Sequence, residues 1–399
     1  MPRLSHSNLK IKNSQISEKV NNLTPSGIRK FFNLLSSIEG VISLGIGEPD
    51  FVTPWHIREA AIHSLEKGHT MYTANQGLPK LREELAGYLE LHYGLIYNPE
   101  TELLVTVGVS EGLDLVLRAI LNPGDEVILP NPCYVAYPAC VYLAGGNPVL
   151  ISTDEKSDFK IKTADIERLI TPRTRAILIG YPANPTGAVM PKQDLAEIAL
   201  LAKEHDLLVI SDEIYGRLVY GIEHTCFPTL PGIKERAILL NGFSKTHAMT
   251  GWRIGYAAAN PEIINAMNKI HQYTMLCAPI MAQEAAIEAL KGGTEDVEAL
   301  VAVYDQSRRF MVKRLRYIGL PCFEHNGAFY AFPSIKNTGL TSEEFAERLL
   351  FEEKVAVVPG SAFGQCGEGY IRCCYATSLP EIEEALNRMG RFIKKLRTS

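Results

Sequence analysis

Short apolar runs alternate with amphipathic stretches along most of this 399-residue chain, and that alternation restricts its fold more than any other feature. Strand-like runs read at LLVTV (103–107), EVIL (126–129), AILI (176–179), LLVIS (207–211), AILL (237–240) and WRIGYAA (252–258). Helical patterns such as EGLDLVLRAIL and KQDLAEIALLAKEH lie between the earlier ones. Runs without a polar face belong to strands covered on both sides, as in α/β folds with a mostly parallel sheet sandwiched by helices. Ligands bind such sheets beyond the carboxyl ends of the strands. Residues just after these runs are therefore the first candidates for function. Ahead of them, Thr53 and Pro54 read as N-cap and first residue of a helix over WHIREAAIHSLEK, with Gly68 ending it.

After Asn260 the pattern changes to long helical stretches over about 261–318, followed by a strand (GAFYAFP), a helix (SEEFAERLLFEE), two short strands and a terminal helix ending in RFIKKLR. This reads as a smaller α+β domain beside the large one. The expected division is an N-terminal segment (1–50) joining the small domain, a large domain (51–284) and a small C-terminal domain (285–399).

Charge and composition exclude several classes. Lys and Arg total 40 against 45 Asp and Glu, so the net charge of −5 leaves no positive field for a nucleic-acid backbone. No apolar run approaches the roughly 20 residues that span a bilayer. The opening MPRLSHSNLKIKNSQ has no apolar core of the kind a secretory signal needs, which points to the cytoplasm. None of the eight cysteines has the spacing of a CxxC site, so free thiols in a reducing compartment are the expectation.

Several motifs compete. Gly108, Val109, Ser110, Glu111 and Gly112 match GxSxG between a strand and a helix, the context of a serine nucleophile elbow. The same residues also read as a helix N-terminus whose Ser110 and Glu111 N–H groups bind an anion. Gly45, Ile46 and Gly47 begin a dinucleotide fingerprint, but Glu48, Pro49 and Asp50 follow and the third glycine is missing. His56 and His63 lie seven apart on a helix without a third ligand, so no metal is assigned.

A stronger signal is a set of polar residues that each follow a different strand: Asn184 in NPTG, Asp212 and Tyr215 after LLVIS, Ser244 and Lys245 after AILLNGF, and Arg253. Each alone has a plain reading as turn, cap or surface cation. Together they converge on one sheet edge with complementary chemistry. A lysine desolvated beside a cation is an amine nucleophile suited to a Schiff base. A buried Asp keeps a pyridine nitrogen protonated, a tyrosine and an amide bond a phenolic oxygen, and Ser with Arg binds phosphate. Those are the requirements of pyridoxal phosphate.

The segments SLGIGEPDF, YTANQGLPKLR, YPANPTG, VISDEIY, NGFSKTHAMTGWRIGY, GAFYAFP, VAVVPGSAFG and GYIRCCYATS closely resemble the class I and II pyridoxal-phosphate-dependent aminotransferases of fold type I, in register from about Ile42 to the C-terminus. The resemblance implies that Lys245 is the internal aldimine lysine and proton carrier, and that Asp212 pairs with the pyridine nitrogen. It assigns Tyr215 and Asn184 to the phenolate oxygen and Tyr134 to the ring face. Phosphate falls to the Ser110 and Glu111 N–H groups, Ser244, Arg253 and the partner subunit's Tyr72 in a homodimer with shared sites. Arg372 takes the substrate α-carboxylate bidentately, with Asn184 and the Gly47 backbone beside it.

The implied activity is a ping-pong transfer of an amino group from an L-amino acid to a 2-oxo acid such as 2-oxoglutarate. Some aspartate-using relatives carry a lysine where this chain has Ser110, which weakens a dicarboxylate preference. SGIRKFF (26–32) and HQYTMLCAP (271–279) look more like branches acting on aromatic amino acids or N-acetylated diaminopimelate. The rivals are a carbon–sulfur β-lyase of the same fold, a serine hydrolase using Ser110, and a non-catalytic sensor on the same fold. The sensor would need a DNA-binding module, and the residues ahead of the family core hold no basic helix-turn-helix pattern.

Overall fold

The computed structural model describes residues 15–23 and 38–398; the SGIRKFF segment lies outside them. The strands are β1 (Ile42–Ser43), β2 (Leu103–Thr106), β3 (Glu126–Asn131), β4 (Asn147–Ser152), β5 (Thr174–Ile179), β6 (Leu208–Asp212), β7 (Ala237–Gly242), β8 (Gly255–Ala258), β9 (Tyr330–Ala331), β10 (Val355–Ala356), β11 (Val358–Pro359) and β12 (Ile371–Cys374). Seven of them form one sheet in the order β2-β8-β7-β6-β5-β3-β4. The neighbours from β7 to β4 pair in parallel, while β8 runs antiparallel to both β2 and β7. The α/β class with a mostly parallel sheet is therefore the class observed.

Alternation along each strand shows why the runs are unbroken. Leu104, Val127, Leu178, Ile210 and Leu240 pack into one apolar layer with helices Gly108–Ile120 and Pro261–Thr274. Their neighbours Ile128, Ile177 and Val209 point the other way, onto helix Lys192–Glu204. Leu103, Val105 and Leu239 also point that way, with helices Trp55–Glu66, Pro79–Tyr93 and Ile280–Gly292. Successive side chains lie on opposite faces of a strand, and here both faces are dry.

Three expectations need correction. β4 was not anticipated, because it is an edge strand opening on Asn147 and Pro148 and half-exposed along its length, which hides the apolar run. The WRIGYAA strand starts only at Gly255: Thr250–Trp252 is a 3₁₀ turn and Arg253 takes a left-handed conformation (φ 52°) that no strand continues. Thr53 does not cap the helix at Trp55, which Pro54 precedes without a side-chain cap. Its hydroxyl instead donates to the Ala248 carbonyl (2.6 Å) and accepts from Trp252 Nε1 (3.0 Å), tying this entry to the Lys245 loop. Gly68 follows the helix with φ 77°, as expected of a C-terminal glycine.

The remaining strands make two small sheets, β1-β10 and β11-β12-β9. They share an apolar core with helices Thr294–Tyr317, Ser342–Glu353 and Leu379–Thr398. Leu44, following β1, belongs to that core and bonds through its backbone to Ala356 and Cys374. Tyr215 and Leu218, just past β6, reach the same core from the large sheet.

Leu240 is fully buried between β7 and the helix at Gly108, where a Cβ on Gly112 would stand 3.2 Å from its Cδ2. Leu240→Ala is expected to cost about 2–5 kcal/mol of stability, measurable as a shifted denaturation midpoint; a midpoint equal to that of the parent would contradict this packing.

Candidate active site

Lys245 lies in the loop after β7, and its Nζ donates to the Gly47 carbonyl at 2.6 Å. That acceptor is neutral. Burial pushes the amine down to about 8; Arg372 and Arg253 act in the same direction, while Cys374 and Glu48 oppose. The Phe329 ring lies 5.7 Å from Nζ and adds to the apolar setting. A lysine titrating near 8 is roughly one-tenth unprotonated at pH 7, against less than about one part in a thousand for an exposed lysine, and that is the state that attacks a carbonyl.

Asp212 ends β6 and is buried. Its Oδ2 accepts from the Tyr137 hydroxyl (2.8 Å) and its Oδ1 from the Ile214 N–H (3.2 Å). Burial raises the carboxyl to about 6, with these two donors pulling back toward the charged form. Tyr137 is on helix Ala136–Leu143, and Tyr134 meets its ring edge-on at 5.6 Å. Beyond β6, the Tyr215 hydroxyl shares a hydrogen bond with that of Tyr330 at 2.8 Å. Neither Tyr137 nor Tyr330 was singled out from the sequence. A signal existed for both: Tyr137 stands three residues from Tyr134, and Tyr330 is the tyrosine of GAFYAFP.

A third group surrounds the start of helix Gly108–Ile120. Gly108 has φ 72°, and a Cβ there would come within 2.6 Å of Arg253 Nη2, so only glycine lets the guanidinium lie against the helix start. Arg253 also donates from Nη1 to the Thr250 carbonyl (3.1 Å). The helix begins at Gly108, which leaves the N–H groups of Gly108, Val109 and Ser110 without partners inside the helix. Glu111 sits one residue deeper and its carboxylate does the capping, accepting the Val107 N–H at 2.5 Å. Ser244 is buried, whereas Ser110 is exposed. Among the described residues no histidine or carboxylate hydrogen-bonds to the Ser110 hydroxyl, and Glu111 is already committed to His271 (2.6 Å), so the elbow lacks its base.

Arg372, on β12, is 3% exposed. Its Nη1 donates to Asn184 Oδ1 (2.9 Å), its Nη2 to the Gly45 carbonyl (2.7 Å), and its guanidinium lies 4.4 Å over the Tyr330 ring. Gly45 is thus its backbone partner. The Gly47 carbonyl serves Lys245, and a Cβ at Gly47 would stand 2.5 Å from the Tyr330 hydroxyl. Tyr72 stands apart: it is 82% exposed and bonds to none of these groups among the described residues.

The arrangement therefore joins an amine nucleophile, a buried acid and two guanidiniums. It has the parts to hold a molecule carrying an aldehyde, a basic ring nitrogen and an anionic tail. No group of three His, Cys, Asp or Glu suited to a metal occurs among the described residues.

Comparison with known proteins agrees. The family model for "Aminotransferase class I and II" matches residues 39–389. YugH of Bacillus subtilis (strain 168) is 57% identical over 382 residues, covering 96% of this chain and 99% of its own. The aspartate aminotransferase of Pyrococcus abyssi is 46% identical over 383 residues, with 95% and 98% covered. The crystal structure of the aromatic aminotransferase from Pyrococcus horikoshii OT3 superimposes with a TM-score of 0.89 at 46% identity, covering 93% of this chain and 100% of that one.

The depressed Lys245 amine gives a direct test. Reductive alkylation of the protein by a small aldehyde, read residue by residue with mass spectrometry, is expected to label Lys245 with a midpoint near pH 8, against about 10.4 for exposed lysines. A shared midpoint for all lysines would show that the amine is not desolvated.

Proposed function

The chain belongs to the class I and II aminotransferases, and from that premise we propose that it transfers an amino group between an L-amino acid and a 2-oxo acid such as 2-oxoglutarate, with pyridoxal phosphate held on Lys245. The observation that carries this reading is a desolvated amine at Lys245 near a buried carboxylate at Asp212, close enough for the lysine's charge to favour the ionised carboxylate. The left-handed Gly108, against which Arg253 lies, adds a backbone cradle that a side chain would fill. These features fit the cofactor.

When bound, the cofactor supplies an aldehyde to the lysine and an electron-withdrawing ring. Lys245 then carries a proton from the substrate Cα, a task that suits an amine titrating close to the working pH. Asp212, held by Tyr137 and Ile214, accepts the ring N–H. Tyr215 and Asn184 hydrogen-bond the phenolic oxygen, and Tyr134 covers the ring. The Ser110 backbone N–H, Ser244, Arg253 and Tyr72 of the partner subunit bind the phosphate; the Glu111 N–H lies one residue beyond the free first-turn groups and does not belong with them. Arg372, with Asn184 and the Gly47 backbone, holds the substrate α-carboxylate through its planar fork. The reaction follows a ping-pong course in which the first product leaves before the second substrate enters.

We keep the division into an N-terminal segment (1–50), a large domain (51–284) and a small domain (285–399), and the assignment to a homodimer whose sites are shared. The exposed Tyr72 supports that sharing. Among the described residues no helix is long and apolar enough to cross a membrane. The eight free cysteines support the cytoplasm as its compartment. Aspartate, aromatic amino acids and related donors remain within the proposed range; relatives named for either of the first two match at similar identity.

Borohydride reduction of the purified protein with pyridoxal phosphate, followed by peptide mass analysis, is expected to place the cofactor on Lys245, and Lys245→Ala is expected to lose nearly all turnover. Cofactor found on another lysine would refute the mechanism. A screen of amino donors against several 2-oxo acids then identifies the substrates.

Arg372→Lys separates carboxylate binding from packing. Loss of the bidentate contact is worth about 1.5–3 kcal/mol, or roughly 10 to 150-fold in kcat/KM, with cofactor affinity little changed. A lowered melting temperature with unaltered half-reaction kinetics would instead make Arg372 a packing residue for Tyr330 and Phe363.

A further inference from the structure

We propose that His271 and Glu111 are positioning residues for the phosphate end of the site, a role that rests on the cofactor assignment above. His271 is fully buried in the last turn of helix Pro261–Thr274, 160 residues from Glu111 in sequence. Its Nδ1 lies 2.6 Å from Glu111 Oε1. An ionised carboxylate only accepts, so the shared hydrogen is on Nδ1 and His271 is the donor. The other carboxylate oxygen, Oε2, accepts the N–H of Val107, the residue that precedes the helix at Gly108. Glu111 is thus held at both oxygens, one by a remote helix and one by the backbone it caps.

What this clamp holds is the approach of β2 to the helix. Val107 is followed by the left-handed Gly108, against which the Arg253 guanidinium lies. A shift of Val107 would therefore move both the free N–H groups of the first turn and the seat of Arg253. Among the described residues, His271 Nε2 has no hydrogen-bond partner, so the Glu111 carboxylate is the one polar contact of that ring.

The same histidine reaches a second part of the site through its backbone. Its carbonyl accepts the N–H groups of Met275 and Leu276, and Leu276, left-handed at φ 68°, receives Asn75 Nδ2 on its own carbonyl at 2.7 Å. Asn75 lies in the YTANQG segment that carries Tyr72. One residue thereby fixes the phosphate cradle of its own subunit and the segment proposed to reach the partner's site.

The test compares the affinity of the cofactor-free protein for pyridoxal phosphate with its affinity for pyridoxal, which lacks the phosphate, using absorbance at the lysine adduct. His271→Phe and Glu111→Ala are each expected to lower the ratio of the two affinities tenfold or more while leaving pyridoxal binding within about threefold of the parent. In the His271→Phe background, Glu111→Gln removes the unpaired buried charge but keeps an acceptor for Val107, and is expected to recover at least threefold of the lost ratio. Should His271→Phe fail to fold, Glu111→Ala, which adds no bulk, decides by the same ratio. A ratio within twofold of the parent in a folded variant, or equal loss of both ligands, overturns the proposal. A parent protein that forms no adduct at Lys245 would instead refute the cofactor assignment.

Discussion

Removal of water from the carboxyl edge of the large sheet is the constraint on which the rest of the structure depends. Because helices cover both faces of β6 and β7, the groups that follow those strands emerge into a dry space, and their chemistry changes accordingly. Asp212 rises from 3.8 to about 6, and Lys245 falls from 10.5 to about 8, with burial the largest cause in each. Both shifts oppose the charged forms, so both cost stability when those forms are imposed. The folded protein binds the Asp212 proton more tightly than the unfolded chain does. That group's contribution is therefore complete below about pH 4 and lost as pH rises through about 6, a cost on the order of 3 kcal/mol. Lys245 behaves in the opposite sense, and its contribution is lost as pH falls through about 8. A pyridinium nitrogen placed against Asp212 would offset the first cost, which links cofactor binding to stability.

Polar groups in such a place need partners, and the fold finds them far away in sequence. Asp212 takes a hydroxyl from Tyr137, Tyr215 meets Tyr330, and Arg372 is shared between Asn184 and Gly45. The Tyr215–Tyr330 and Arg372 bonds cross between the large sheet and the small ones, so the site and the packing of the two parts are one arrangement. Arg372 shows the consequence: the guanidinium assigned to the substrate is also a link between β12, the NPTG turn and the segment after β1.

Much of this was legible beforehand, for a physical reason. A strand buried on both faces must be apolar throughout, so β2, β3, β5, β6 and β7 announce themselves, and polar residues directly after them stand out. Asn184, Asp212, Ser244 and Lys245 were found in that way, and Arg253 beyond them. The edge strand β4 was hidden because half-exposed positions carry no such requirement. Arg253 was placed but its setting was not, since WRIGYAA has the composition of a strand although a 3₁₀ turn and a left-handed Arg253 precede the strand proper.

The sequence by itself determined the α/β class, the sheet edge where the candidate residues gather and, through its motifs, the family. Those properties follow from local pattern: period, apolar continuity and the residue types that succeed each strand. Tertiary structure alone decided which partners tune those residues. Tyr137 on Asp212, Tyr330 beside Gly47, Gly45 under Arg372, and His271 on Glu111 are contacts between segments distant in the chain, and periodicity carries no information about distant pairs. The depressed amine and the raised carboxyl belong to the same category, because desolvation is set by everything packed around a group and not by its neighbours in sequence.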